Sequence, residues 1–140
     1  MFTVFHATDM ARASLILREG FRLDAEHRSD PGDFGLAAYF TTSLERARAI
    51  GQVILTVDLE LRSPIDLTDE DAYALVIDKL GFDTIHGRGH PGGRPEAARL
   101  AREHFLSQGN DALVSRREVC GERETEIAVY DLKAIRRVRL

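Results

Sequence analysis

The sequence has little cysteine, because Cys120 is the only one among 140 residues. A single cysteine cannot form an internal disulfide, and a zinc site made of four thiolates is excluded. This composition is typical of a reducing compartment, and we expect the protein to act in the cytoplasm.

Two further features are missing. No apolar run approaches the roughly 18 residues that a membrane-spanning helix needs, so we expect no membrane partner. The first five residues carry no basic patch, and we do not expect a signal peptide. Basic residues are outnumbered by acidic ones, 19 to 23. That balance argues against a broad nucleic-acid-binding surface, and the basic run at residues 136–139 is too short to reverse it.

The length and the hydrophobic content of 44% predict one compact domain spanning residues 1–140, with a core of its own. Periodicity and turn residues predict strands and helices in mixed order, without regular βαβ alternation. This favours an α+β fold over a doubly wound sheet. The predicted strands cover residues 2–6, 38–41, 53–61, 112–115, 127–130 and 135–138, and the predicted helices cover residues 10–19, 42–50, 69–80 and 95–108.

Capping residues mark several of these helices. Asp9 is expected to cap the first helix, whose inward face should carry Ala13, Ile16 and Leu17. The second helix has the spacing of a capping box that begins at Thr42. The glycine-rich residues 84–93 are predicted to form a loop.

Three segments carry residues suited to chemistry. The first is Phe5-His6-Ala7-Thr8, where a strand ends in a histidine just before a helix. The second runs from Gly35 through Tyr39 and Phe40 into a capped helix. The third is a strand near the C-terminus, where Glu124 and Glu126 share one face. Neighbouring carboxylates repel each other unless a cationic or sugar-like group lies between them.

These segments, in this order, resemble those of the ADP-ribosyltransferase superfamily, in the branch with a His-Tyr-Glu signature. The family's His-Gly-Thr segment is similar to residues 6–8, and its Gly-x-x-Tyr-Phe segment is similar to residues 35–42. Its Glu-x-x-Val-Tyr-Asp strand is similar to residues 126–131. The resemblance implies split β-sheets with an NAD cleft and peripheral helices.

The resemblance also implies roles for single residues. His6 would bond a ribose hydroxyl of NAD, and the backbone of Ala7 would hold the nicotinamide carboxamide. Tyr39 would pack against the nicotinamide. Glu126 would accept a hydrogen bond from the ribose 2′-hydroxyl and stabilise the oxocarbenium-like transition state.

Other residues complete the implied site. Thr8 and Phe40 belong to the NAD-binding segments, and Arg22 and Arg28 are candidate pyrophosphate partners. Glu124 matches the first glutamate of a Glu-x-Glu arrangement that positions an acceptor. No metal is expected.

The implied activity is transfer of ADP-ribose from NAD to an acceptor, with release of nicotinamide. The acceptor is a protein, a nucleic acid or a small molecule. By analogy with small bacterial toxins that are delivered into a target cell, a cognate antitoxin or immunity protein is an expected partner. Two alternatives stay open: an NAD glycohydrolase, and an inactive member that binds nucleotides or a partner.

The sequence departs from the family where Ala7 replaces a glycine. It also has aliphatic residues, Ala47, Ala49 and Ile50, where many members carry a second aromatic. The same residues also have purely structural interpretations. His6 would then be a structural strand-end residue, and Tyr39 and Phe40 an ordinary buried pair.

Three further alternatives concern the carboxylates, a metal and the thiol. Glu124 and Glu126 would, in the structural interpretation, be charges that protect an edge strand. His86 and His90 lack a third ligand at a recognisable spacing, so the sequence does not favour metal binding there. Cys120 has no positioned base in the sequence, and we do not expect it to be a nucleophile.

Overall fold

A computed structural model describes residues 1–23, 34–75, 93–119 and 121–140. The seven strands of this part of the chain form one mixed sheet in the order β4-β5-β6-β2-β1-β3-β7. The α+β class is therefore confirmed, although the strands are hydrogen-bonded into one sheet rather than two separate facing sheets. The strands are β1 (Phe2–Thr8), β2 (Ala38–Thr41), β3 (Val53–Leu59), β4 (Pro64–Thr68), β5 (Ala112–Val119), β6 (Glu122–Val129) and β7 (Ile135–Arg139).

The described helices are α1 (Met10–Glu19), α2 (Leu44–Ile50), α3 (Asp69–Tyr73) and α4 (Gly93–Ser107). The predicted cap of α1 is confirmed, since the Asp9 carboxylate accepts a hydrogen bond from the Arg12 N–H at 2.8 Å. The predicted N-cap of α2, Thr42, lies one residue before the observed N-cap. Ser43 rather than Thr42 accepts from the backbone N–H of Arg46, at 3.1 Å. None of the described helices is long and apolar enough to cross a membrane.

Strand β4 is not among the strands predicted from the sequence. It pairs in parallel with β5, with Ile65 opposite Leu113, and supplies only alternating half-buried residues. The helix predicted at residues 69–80 begins as expected, with Thr68 as its cap. Residues 76–80 and most of the predicted glycine-rich loop lie outside the described residues.

Two apolar clusters cover the two faces of the sheet. Along β6, Ile127 and Val129 belong to the cluster that also contains the buried residues of β3. Ala128 and the adjoining Tyr130 belong to the other cluster, which packs under α4. Both faces are therefore buried at this end of β6, as the strand's alternation requires. Leu17 was predicted to face inward but is 43% exposed, because α1 buries only the narrow face around Ala13.

The junction between β1 and β2 is the weakest pairing of the sheet. β1 pairs with β3 over seven residues, from Phe2 to Thr8. Its register with β2 consists of one pair, Phe5 opposite Thr41. A cleft lies beside this single pair and is lined by residues 5–7 of β1 and residues 39–41 of β2.

Gly51 sets the position of α2 beside this cleft. A Cβ atom on Gly51 would lie 2.8 Å from the backbone nitrogen of Thr8 and 3.1 Å from the carbonyl carbon of Ala7. Only glycine allows the end of α2 to approach the end of β1 so closely.

Candidate active site

The cleft brings together residues from all three segments identified in the sequence. The cavity has a volume of about 170 Å³, smaller than the roughly 300–1,000 Å³ of typical small-molecule sites. Its walls come from β1, β2, α2 and β6. They are formed by Phe5, His6, Ala7, Tyr39, Phe40, Thr41, Arg46, Ile50, Glu124, Thr125 and Glu126. His6, Tyr39 and Glu126, which are distant in sequence, thus line one cavity.

His6 is held at the end of β1 by contacts on several sides. Its Nδ1 lies 2.7 Å from the carbonyl oxygen of Tyr39. A carbonyl oxygen can only accept, so Nδ1 must carry the proton and donate. The ring also contacts Phe21 edge-on, with centroids 5.0 Å apart, and Phe40 at 5.7 Å. In the neutral imidazole this tautomer makes Nε2 the acceptor nitrogen of the ring.

Tyr39 is fixed through its hydroxyl. That hydroxyl donates to the carbonyl oxygen of Gly35 at 2.6 Å and accepts from the N–H of Phe34 at 2.9 Å. The hydroxyl therefore serves the loop that precedes β2. The half-buried ring is the part of Tyr39 that can pack against a ligand in the cleft.

A second tyrosine stabilises the same loop. The Tyr130 hydroxyl donates to the carbonyl oxygen of Phe34 at 2.6 Å, and burial raises the pKa of Tyr130 well above its usual value. The phenol therefore stays protonated and keeps its role as donor. The N–H of Leu36 donates to the carbonyl oxygen of Ala98 in α4 at 2.9 Å. The loop that positions Tyr39 is thus anchored to β6 and to α4.

Glu126 lies on an interior strand. β6 is hydrogen-bonded to β5 on one side and to β2 on the other, with Ser115 and Thr41 directly opposite Glu126. The interpretation of Glu126 as a charge on an edge strand is therefore wrong. Glu126 is half-buried between two hydroxyl-bearing neighbours, of which Ser115 is only 1% exposed.

Glu124 lines the same cleft two residues before Glu126. It lies where β6 has passed the end of β2, because the β2 register ends at Glu126. The backbone of Thr125 still accepts a hydrogen bond from the N–H of Thr42, at 3.1 Å. Both carboxylates thus line the cleft, and one oxygen of Glu124, Oε2, is buried.

The remaining residues of the NAD-binding segments fall into two groups. Ala7 and Phe40 line the cleft, although Phe40 is only 2% exposed and also packs against Phe21 in the core. Thr8 does not line the cleft. It pairs with Val53 and packs against Gly51 instead.

The guanidinium in the cleft is not one that the sequence predicted. Arg22 lies outside the cleft walls and forms an exposed ion pair with Glu19 at 3.5 Å, and Arg28 lies outside the described residues. Arg46 of α2 lines the cleft instead. Its helical spacing of i, i+4 with Ile50 places both residues on one wall, but this spacing alone does not indicate a cleft.

The alternative metal and thiol sites fall on residues that are not described, namely His86, His90 and Cys120. Within the described ranges, no group of three or more His, Cys, Asp or Glu side chains could hold a metal ion.

No protein-family model and no curated protein sequence matches this chain. The assignment of a function therefore depends on the geometry and chemistry of the cleft.

Proposed function

We propose that this protein is an NAD-dependent ADP-ribosyltransferase that releases nicotinamide and transfers ADP-ribose to an acceptor. The observation that carries the proposal is the meeting of His6, Tyr39 and Glu126 in one cleft. These three residues come from three segments, and their roles require a common site. The β1–β2 junction beside the cleft consists of a single register pair, although all seven described strands belong to one sheet.

The chemistry fits the charges in the cleft. Breaking the bond between nicotinamide and ribose produces a ribose with oxocarbenium character, which carries positive charge. A carboxylate held beside it stabilises charge that is fully present only in the transition state. Glu126 supplies that carboxylate from a strand fixed on both sides, so little reorganisation is needed during the reaction.

His6 and Tyr39 position the substrate in this proposal. The protonated Nδ1 of His6 faces the Tyr39 carbonyl, so Nε2 can accept a hydrogen bond from a ribose hydroxyl. The ring of Tyr39, held through its hydroxyl, offers a flat apolar surface for the nicotinamide. Ala7 contributes backbone groups, since β1 has separated from β2 at that residue.

In the proposed reaction, nicotinamide is released in a step that needs neither an oxidant nor a metal ion. The glycosidic C–N bond breaks, nicotinamide leaves with the electron pair as a neutral base, and the acceptor forms the new bond to ribose. In this proposal Glu124 orients the acceptor or takes its proton.

The proposal is tested with NAD that carries label in the adenosine half. We expect nicotinamide release together with label on a macromolecule or a small acceptor from a cell lysate. Label recovered only as free ADP-ribose would identify an NAD glycohydrolase. NAD binding without nicotinamide release would contradict catalysis and favour the inactive alternative.

A further inference from the structure

Helix α2 presents two arginines to two neighbouring concavities. Arg46 lines the cleft described above. Arg48 lines a second, more open groove of about 500 Å³, together with Gln52 and Ile54. Ile50 belongs to both linings and is 62% exposed. The two concavities therefore adjoin at this side chain.

Neither Arg46 nor Arg48 forms an ion pair with any residue that the structure describes. Other arginines of the described chain do, such as Arg116 with Asp66 at 2.8 Å and Arg139 with Asp58 at 2.9 Å. The lining of the second groove contains no carboxylate. Two exposed guanidinium groups that have no ion-pair partner within the described ranges can bind anionic oxygens, preferably those of phosphate, which match their planar donor geometry.

The spacing of the two arginines favours a ligand with more than one phosphate. Residues two apart on a helix do not face each other. Arg46 and Arg48 accordingly reach different concavities, on either side of Ile50. One phosphate would engage one of them, whereas successive phosphates of a strand can engage both. Ile50 and Ile54 offer apolar contact to bases, and the Gln52 amide can donate to and accept from base edges.

We infer that the acceptor is a single-stranded nucleic acid, bound across α2 by Arg46 and Arg48. This inference rests on the proposed function and names its acceptor class. The nucleophile, an N–H or O–H of the strand, lies against Glu124. It gives its proton to that carboxylate and forms the bond to the ribose carbon as nicotinamide departs with the electron pair of the broken bond. A site with only two arginines is compatible with the net charge of −4, because that charge argues only against a broad basic surface.

The binding test uses a single-stranded DNA octanucleotide with a 5′-phosphate and a 3′-fluorophore, followed by fluorescence anisotropy. Two neutralised phosphates predict a slope of about −1.4 for log affinity against log salt concentration. Arg46→Gln and Arg48→Gln should each reduce the slope by about 0.7 and weaken binding about fivefold. Arg18→Gln, which alters an exposed arginine at the end of α1, is the matched control and should leave the slope unchanged.

Transfer is measured on the same octanucleotide with labelled NAD. Label on the octanucleotide, together with slopes that depend on both arginines, is the expected result. Slopes that neither variant changes would overturn the inference, as would label that enters protein from a lysate and never the strand. If the wild-type protein releases no nicotinamide with any acceptor, the proposed function is contradicted. Salt-dependence slopes that change in both arginine variants would, in that case, still support a nucleic-acid site on α2.

Discussion

Replacing Gly51 with alanine tests how α2 shapes the cleft. The added Cβ would lie 2.8 Å from the Thr8 nitrogen and 3.0 Å from the Thr8 oxygen. Both are backbone atoms of β1, which is paired with β3, so their displacement would disturb the strand pairing. The φ angle of Gly51 is −146°, which alanine adopts without strain, so the penalty is steric. Overpacking of this kind costs about 1–3 kcal/mol, of which a reduced unfolded-state entropy offsets roughly 0.4–1 kcal/mol.

We expect Gly51→Ala to lower the urea midpoint at an unchanged m-value and to weaken NAD binding, because α2 must move away from β1. Gly20→Ala is the matched control. It meets no atom within 4 Å, but its φ of +81° makes alanine strained at this position. Its stability should fall by roughly 1 kcal/mol while NAD binding is retained. A Gly51→Ala protein that is as stable as wild type, or that binds NAD equally well, would refute the role given to this contact.

Three further predictions concern single groups. Tyr39→Phe should lose about 1–2 kcal/mol of folding stability, because the backbone groups of Phe34 and Gly35 lose a hydrogen-bond partner. Isothermal titration should nevertheless show that Tyr39→Phe binds NAD more tightly than Tyr39→Ala does. The hydrogen bond from Arg139, aided by one from Thr3, lowers the pKa of the Asp58 carboxyl. The ionised carboxylate therefore stabilises the folded protein above the pKa of the unfolded state, about 3.9, and this stabilisation is lost as the pH falls through the pKa of the folded state. Asp58→Asn should therefore reduce the loss of stability on acidification below about pH 4, measured by urea unfolding at several pH values; an unchanged acid dependence would contradict this assignment. Nicotinamide release should survive a chelator and Cys120→Ser, and its loss under chelator would contradict a mechanism based on the Glu126 carboxylate.

The residues of the cleft could be predicted from sequence because strand alternation and strand ends constrain them strongly. His6 ends an apolar β-rich run, and Glu126 shares a face with Glu124 by the period of two. The ordered resemblance then predicted that these segments meet. The strand β3 was predicted for the same reason, since Leu55, Val57 and Leu59 alternate with more polar residues.

The features that sequence could not predict depend on long-range contacts. β4 is short, begins with a proline and is paired with β5 some 48 residues further along the chain. Its two half-buried residues give a weak local signal. Leu17 has the periodicity of a buried position, but the extent of the α1 contact decides its exposure. Arg46 has the pattern of a solvated helix face, and only the approach of α2 to β1 at Gly51 brings it to the cleft.

The central claim is that the Glu126 carboxylate stabilises the transition state of nicotinamide release. The direct test is the rate of nicotinamide release by wild type, Glu126→Gln and Glu124→Gln under the same conditions. Glu126→Gln keeps the shape of the side chain and removes its charge, so release should fall about 10²-fold, equivalent to about 2.7 kcal/mol. Glu124→Gln should spare release and reduce only transfer to the acceptor. Release at the wild-type rate by Glu126→Gln, with the protein folded, would contradict the account.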